Sequence, residues 1–106
     1  MTLDMFARYS KRRKEAFSRL NENLQKVKSI VVMEDPSAKI YLFGSVARGN
    51  YNMASDIDIL IVSRDYVKAI RKALIEAGFG EPYEFHIRSP RDAQTYFRHV
   101  KDIRKI

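Results

Sequence analysis

Four residues in the middle of the chain have the types and the spacing for phosphate and metal chemistry. Gly44 and Ser45 follow the apolar run Ile40-Tyr41-Leu42-Phe43, and Asp56 and Asp58 lead into a second apolar run that extends to Val62. The first run is short, β-branched and aromatic and stops at a glycine, as a buried strand does. Residues 45–48 then have room for one helical turn. Unpaired backbone N–H groups at the start of such a turn, with a small hydroxyl beside them, suit a phosphate oxygen. A glycine there lets an anion approach the backbone without meeting a Cβ.

Asp56 and Asp58 supply the opposite charge. Side chains two residues apart on a strand share a face, so these two project together while Ile57 and Ile59 point into the core. Their Cα atoms are expected roughly 6.5 Å apart, from a strand rise of about 3.3 Å per residue. Both carboxylates can then converge on one or two divalent ions, which two-metal phosphoryl-transfer sites hold roughly 3.5–4 Å apart. An unpaired carboxylate inside an apolar strand is costly, so Asp58 requires a partner or a metal. The chemistry suggested is Mg²⁺-dependent transfer from a nucleoside triphosphate.

Gly44-Ser45, ten intervening residues and then Asp56-Ile57-Asp58 resembles the signature of the DNA-polymerase-β-like nucleotidyltransferase superfamily. With Ala47-Arg48-Gly49 inside the motif and a short chain around it, the sequence is most similar to the minimal nucleotidyltransferases, over about Ile40–Ile87. The resemblance implies that Gly44 and Ser45 hold the triphosphate of ATP and that Asp56 and Asp58 bind Mg²⁺, with two ions possible. It also implies a third carboxylate on a later strand. Glu84 is the acid available there, although the family more often shows aspartate. Minimal nucleotidyltransferases are often paired with helical HEPN proteins, and some act as antitoxins that adenylylate that partner. The resemblance therefore implies a HEPN-type partner, or a second copy of the chain, as the source of the acceptor surface.

The remaining elements must position these groups. A length of 106 residues, 45% of them hydrophobic, describes one folded domain spanning 1–106. Cysteine is absent, which excludes disulfides and Cys-based zinc sites. No run approaches the ~20 apolar residues that span a bilayer, and the polar start lacks a secretory core, so the expectation is a cytoplasmic protein with no membrane association. The net charge of +7 is segregated. Residues 1–30 carry eight Lys/Arg against three acids and residues 86–106 six against two, whereas 31–85 carry six against eight. Basic ends around an acidic centre suit a polyanionic substrate or partner, nucleic acid included, or else are solvated helix faces.

A long amphipathic helix is expected from about Leu3 to Val32, with Phe6, Tyr9, Ala16/Phe17, Leu20, Leu24, Val27 and Val31 on its apolar stripe and Arg13 interrupting it. Asp35-Pro36 ends it. Asn50–Ser55 reads as a loop over the site. Arg48 within the motif is either a cation beside the triphosphate or an ion-pair partner of Asp56 or Asp58. Ser63–Ala77 reads as a second helix closed by Gly78. Tyr83–Ile87 alternates as a third strand with Glu84 and His86 on its polar face. Glu84 there is a metal ligand or general base, or an exposed edge residue. His86 binds metal or phosphate, or is simply hydrogen-bonded. Ser89-Pro90 opens a last helix whose Tyr96 packs in the core or stacks on a base, and Lys101–Ile106 reads as a frayed basic tail.

The fold class expected is α/β (α+β): a nucleotidyltransferase core with a small mixed sheet of at least three strands, helices mainly on one face and a long N-terminal helix. The function expected is transfer of AMP from ATP to a hydroxyl acceptor. Two alternatives stand beside it: a non-catalytic module of the same fold that binds a partner or RNA, and an enzyme that modifies polynucleotides.

Overall fold

The apolar runs form the strands that their patterning predicts. In the computed structural model, which describes residues 2–106, Lys39–Phe43 is β1, Ile57–Val62 is β2 and Tyr83–Arg88 is β3. A two-residue strand, β4 (Arg104–Lys105), completes a sheet of order β3-β2-β1-β4. β1 runs antiparallel to β2 and β4, and β2 runs parallel to β3, so the sheet is mixed. The register sets Asp58 opposite Phe43 on one side and opposite Glu84 on the other.

Alternation gives the sheet two unlike faces. Ile40, Leu42, Ile57, Ile59, Ile61 and Ile87 point to one side and are almost wholly buried. Each such side chain contributes about 1.5–3 kcal/mol relative to an exposed position. This face is covered by two helices, α2 (Leu20–Glu34) and α4 (Val67–Glu76), which pack against each other. Leu24, Val27 and Val31 of α2 and Ile70 and Leu74 of α4 complete the core. On the opposite face lie Tyr41, Phe43, Asp58, Glu84 and His86, partly crossed by the helix α5 (Pro90–His99). Ser89 caps α5 by accepting from the Asp92 amide, with Pro90 at its first position.

The helical path from Leu3 continues as far as Glu34 but breaks at Arg19, whose φ of −118° and ψ of 32° leave the helical region. The first part is α1 (Leu3–Ser18). Ser18 Oγ donates to Glu15 O, a local bond that bends helices. The bend lets α2 lie along the sheet while the start of α1 leaves it. Phe6 and Tyr9, on the expected apolar stripe, are consequently exposed. The second helix begins at Val67, later than Ser63, because Ser63 is buried and its hydroxyl donates to Asp35 Oδ2 at 2.6 Å. Gly78 follows with φ of +90°, as a residue that terminates a helix.

The C-terminal segment corrects a second expectation. Lys101–Ile106 is not a frayed tail: Asp102 adopts φ of +59°, and β4 pairs with Tyr41 and Leu42 of β1. The Ile106 amide donates to Ile40 O and its side chain packs on the core. Apolar anchorage of Ile106 outweighs the charge of its basic neighbours. No helix among the described residues is long and apolar enough to cross a membrane.

Arg13 interrupts the apolar stripe for a reason that the sequence does not disclose. It is buried, with 4% of its surface exposed, and its guanidinium braces the loop ahead of Asp56. Nε donates to Met53 O and Nη2 to Ser55 O, while Nη1 meets the Glu81 carboxylate and the Tyr9 hydroxyl. Tyr51 stacks on Phe17 at 5.2 Å and fixes the same loop to α1. One planar fork thus ties α1 to the approaches of both β2 and β3. Arg13→Met is expected to lower stability by about 1.5–3 kcal/mol, the range for hydrogen bonds to charged groups, and to speed amide exchange over residues 50–56. Lysine at this position should not rescue it, because one ammonium cannot span the four acceptors. Urea unfolding and hydrogen exchange check this, with Phe6→Ala as an exposed control that changes stability by less than about 0.5 kcal/mol.

Candidate active site

The site begins at the end of β1. Gly44–Arg48 forms the one-turn helix α3, entered through extended backbone at Phe43 and closed by Gly49 in the left-handed region, with φ of +77°. Gly44 itself has φ of +76°, which disfavours any side chain. A Cβ at this position would also collide with Asp58 Oδ2. The turn and the carboxylate are therefore in direct apposition: the backbone conformation favours glycine at 44, and a side chain there would displace the Asp58 carboxylate. Ser45 is half-buried in the first part of the turn, and the Asn50 amide donates to its carbonyl.

Opposite the turn, the parallel register of β2 and β3 brings Asp58 beside Glu84. Donor atoms of Asp58, Glu84 and His86 all lie within 4.8 Å of one another, a cluster able to hold a metal ion. Burial falls outward: the side chains of His86, Asp58 and Glu84 are 19%, 23% and 56% exposed. Asp58 is thus shielded by β1 and β3, and Glu84 faces solvent. Asp56 stands outside this cluster, exposed in the segment just before β2. Arg48 is exposed and forms no ion pair among the described residues, so the pairing with Asp56 or Asp58 weighed from the sequence is not formed.

His86 and Tyr96 extend the site beyond the residues that the motif names. His86 Nδ1 lies 3.0 Å from the Tyr96 hydroxyl, and the ring packs edge-on against Phe43 at 5.0 Å. Tyr96 also packs on Phe43, with the Arg88 guanidinium over its ring. The period-two pattern of β3 already places His86 on Glu84's face, but the position of α5 that delivers Tyr96 is a tertiary contact. On the other face of β3, burial pushes the Tyr83 phenol above its ordinary pKa, with the Asn23 side chain acting in the opposite direction.

The fold is shared with known proteins. A crystal structure of a provisionally named nucleotidyltransferase superposes with a TM-score of 0.67 at 29% identity, over 79% of this chain and 97% of the other. A second, from Sulfolobus solfataricus and also provisionally named a nucleotidyltransferase, gives 0.59 at 24% identity over 88% and 84%, a likeness of fold. No curated protein matches the chain at a significant level. The family profile described as a nucleotidyltransferase domain matches residues 24–105, from within α2 to β4. The chain belongs to the nucleotidyltransferase domain family.

Proposed function

We propose that this protein transfers a nucleoside monophosphate, AMP from ATP, to a hydroxyl on a partner protein, with Mg²⁺ as the metal. The observation that carries this reading is the apposition of Asp58, in register with Glu84, to the Gly44 turn. A turn that binds phosphate and carboxylates that bind a divalent ion must meet on one substrate, and here they touch.

The residues fit a hard divalent cation. Asp58 and Glu84 offer carboxylate oxygens, the donors such ions prefer, and Glu84 is open enough to leave positions for water or substrate. Asp56, the other acid of the family signature, is proposed as a further ligand. When bound, the metal neutralises charge on the triphosphate and lowers the proton affinity of the acceptor oxygen. The Gly44 and Ser45 amides and the Ser45 hydroxyl hold the β- and γ-phosphates. Arg48, the last residue of the same one-turn helix, is proposed to offset charge on the departing pyrophosphate. In the transfer, the acceptor oxygen bonds to the α-phosphorus, the α–β anhydride bond breaks and pyrophosphate leaves. The acceptor's proton passes to Glu84 or to water. Positioning and charge neutralisation supply most of the rate.

The exposure of Glu84 and Asp56 also motivates an acceptor delivered from outside the chain, a HEPN-type partner by family resemblance or a second copy. Incubation with Mg²⁺, ATP labelled at the α-phosphate and a lysate of the source organism is expected to label a protein. Asp58→Asn should reduce labelling by at least about 100-fold, the scale on which loss of one charge-stabilising group acts. Gly44→Ala should abolish nucleotide binding while far-UV circular dichroism stays unchanged. Label appearing on RNA would favour a polynucleotide acceptor, and no label on any molecule would contradict the reading.

A further inference from the structure

The motif and the family describe a metal site made of carboxylates, yet a buried nitrogen lies close to two of them. His86 Nε2 lies 3.5 Å from Asp58 Oδ1 and 3.7 Å from Glu84 Oε1. Both distances exceed the 2.7–3.2 Å of an ordinary hydrogen bond. Nε2 is buried and has no hydrogen-bond partner. A buried polar atom with no partner is rare in folded proteins and calls for a cause. The spacing supplies one: ligands about 2.0–2.2 Å from a shared ion lie roughly 3.0–3.6 Å from each other, depending on whether the site is octahedral or tetrahedral. Distances of 3.5 and 3.7 Å are too long for direct contact and lie at and just beyond the tetrahedral end of that range, so a bound ion would draw the ligands slightly inward.

The far side of the ring is arranged in keeping with this role. Ligating histidines commonly direct their second nitrogen to a fixed partner, which sets the tautomer and aims the lone pair. Here Nδ1 meets the Tyr96 hydroxyl at 3.0 Å, and Phe43 packs against the ring. In the tautomer whose Nδ1–H donates to Tyr96, the Nε2 lone pair faces two carboxylates. Three electron-rich donors pointing at one another repel, and a cation among them removes the repulsion.

We infer that His86 is a direct ligand of the ion held by Asp58 and Glu84, so that this nucleotidyltransferase carries a mixed nitrogen–oxygen metal site, with Tyr96 as the residue that orients the imidazole. The inference rests on the metal-dependent reading above. Imidazole binds first-row transition ions far better than it binds magnesium, which keeps to oxygen. The site therefore selects Mn²⁺ or Co²⁺ over Mg²⁺ in affinity.

Pulsed electron paramagnetic resonance of the full chain with Mn²⁺ and inorganic tripolyphosphate tests this, the probe being chosen because it carries no nitrogen. The wild-type protein is expected to show a directly coordinated ¹⁴N. The signal should vanish in His86→Gln and in His86→Asp, with Mn²⁺ affinity about 10–100-fold lower in His86→Gln. Tyr96→Phe should retain the nitrogen signal with weaker binding, on the same scale as other losses behind a ligand. His86→Asp, an all-oxygen site, should narrow the preference for Mn²⁺ over Mg²⁺. Bound Mn²⁺ without coordinated nitrogen in the wild-type protein would overturn the role of His86 and leave the nucleotidyltransferase reading intact. A nitrogen signal that persists in both His86 variants would overturn it as well. Failure to bind Mn²⁺ with tripolyphosphate at all would remove both.

Discussion

Asp58 and Glu84 stand opposite each other across two parallel strands, and carboxylates held so close repel unless a cation or a proton comes between them. The surrounding structure is organised to maintain that apposition. β2 cannot shift by one residue, since Ile57, Ile59 and Ile61 would then leave the core and Asp58 would enter it. The helix α4 makes the parallel pairing possible by returning the chain to the same edge of the sheet, as a parallel neighbour requires. Burial of apolar residues on one face thus fixes the placement of acids on the other.

A second constraint acts on the approaches to the strands. The loop between α3 and β2 has few apolar anchors, and Arg13 supplies the missing fixation by donating to two of its carbonyls. The same guanidinium pairs with Glu81, just ahead of β3. Loop and strand therefore share one brace, and α1 serves the site although no residue of it lies among the acids. A buried charge is tolerated here because each nitrogen of the planar fork meets at least one acceptor. Beyond this brace, α1 leaves the sheet and its apolar residues stand in solvent.

Much of the fold was legible because it rests on local rules. Period-two alternation placed Glu84 and His86 on one face of β3, glycine chemistry anticipated the left-handed backbone at Gly78, and Ser89-Pro90 marked the start of α5. The spacing of Gly44-Ser45 and Asp56-Ile57-Asp58 indicated the family because phosphate and metal must be handled within one turn-and-strand unit. What escaped was non-local. Apart from Tyr9, the partners of Arg13 lie 40 and more residues away in sequence, so its burial has little local signature. β4 is two residues long and basic, and only its pairing with β1 makes it a strand. The break at Arg19 falls inside a continuous apolar stripe, which periodicity does not mark. Alternation likewise puts Asp56 on Asp58's face, yet it stands exposed just ahead of β2 and outside the cluster.

The most direct test is a crystal structure with Mg²⁺ and an ATP analogue that cannot be cleaved between its α- and β-phosphates. The expected result is an ion about 2.0–2.1 Å from oxygens of Asp58 and Glu84, with the β- and γ-phosphates resting on the Gly44 and Ser45 amides. A triphosphate bound elsewhere on the protein, or one seated on that turn with no metal at Asp58, would contradict it.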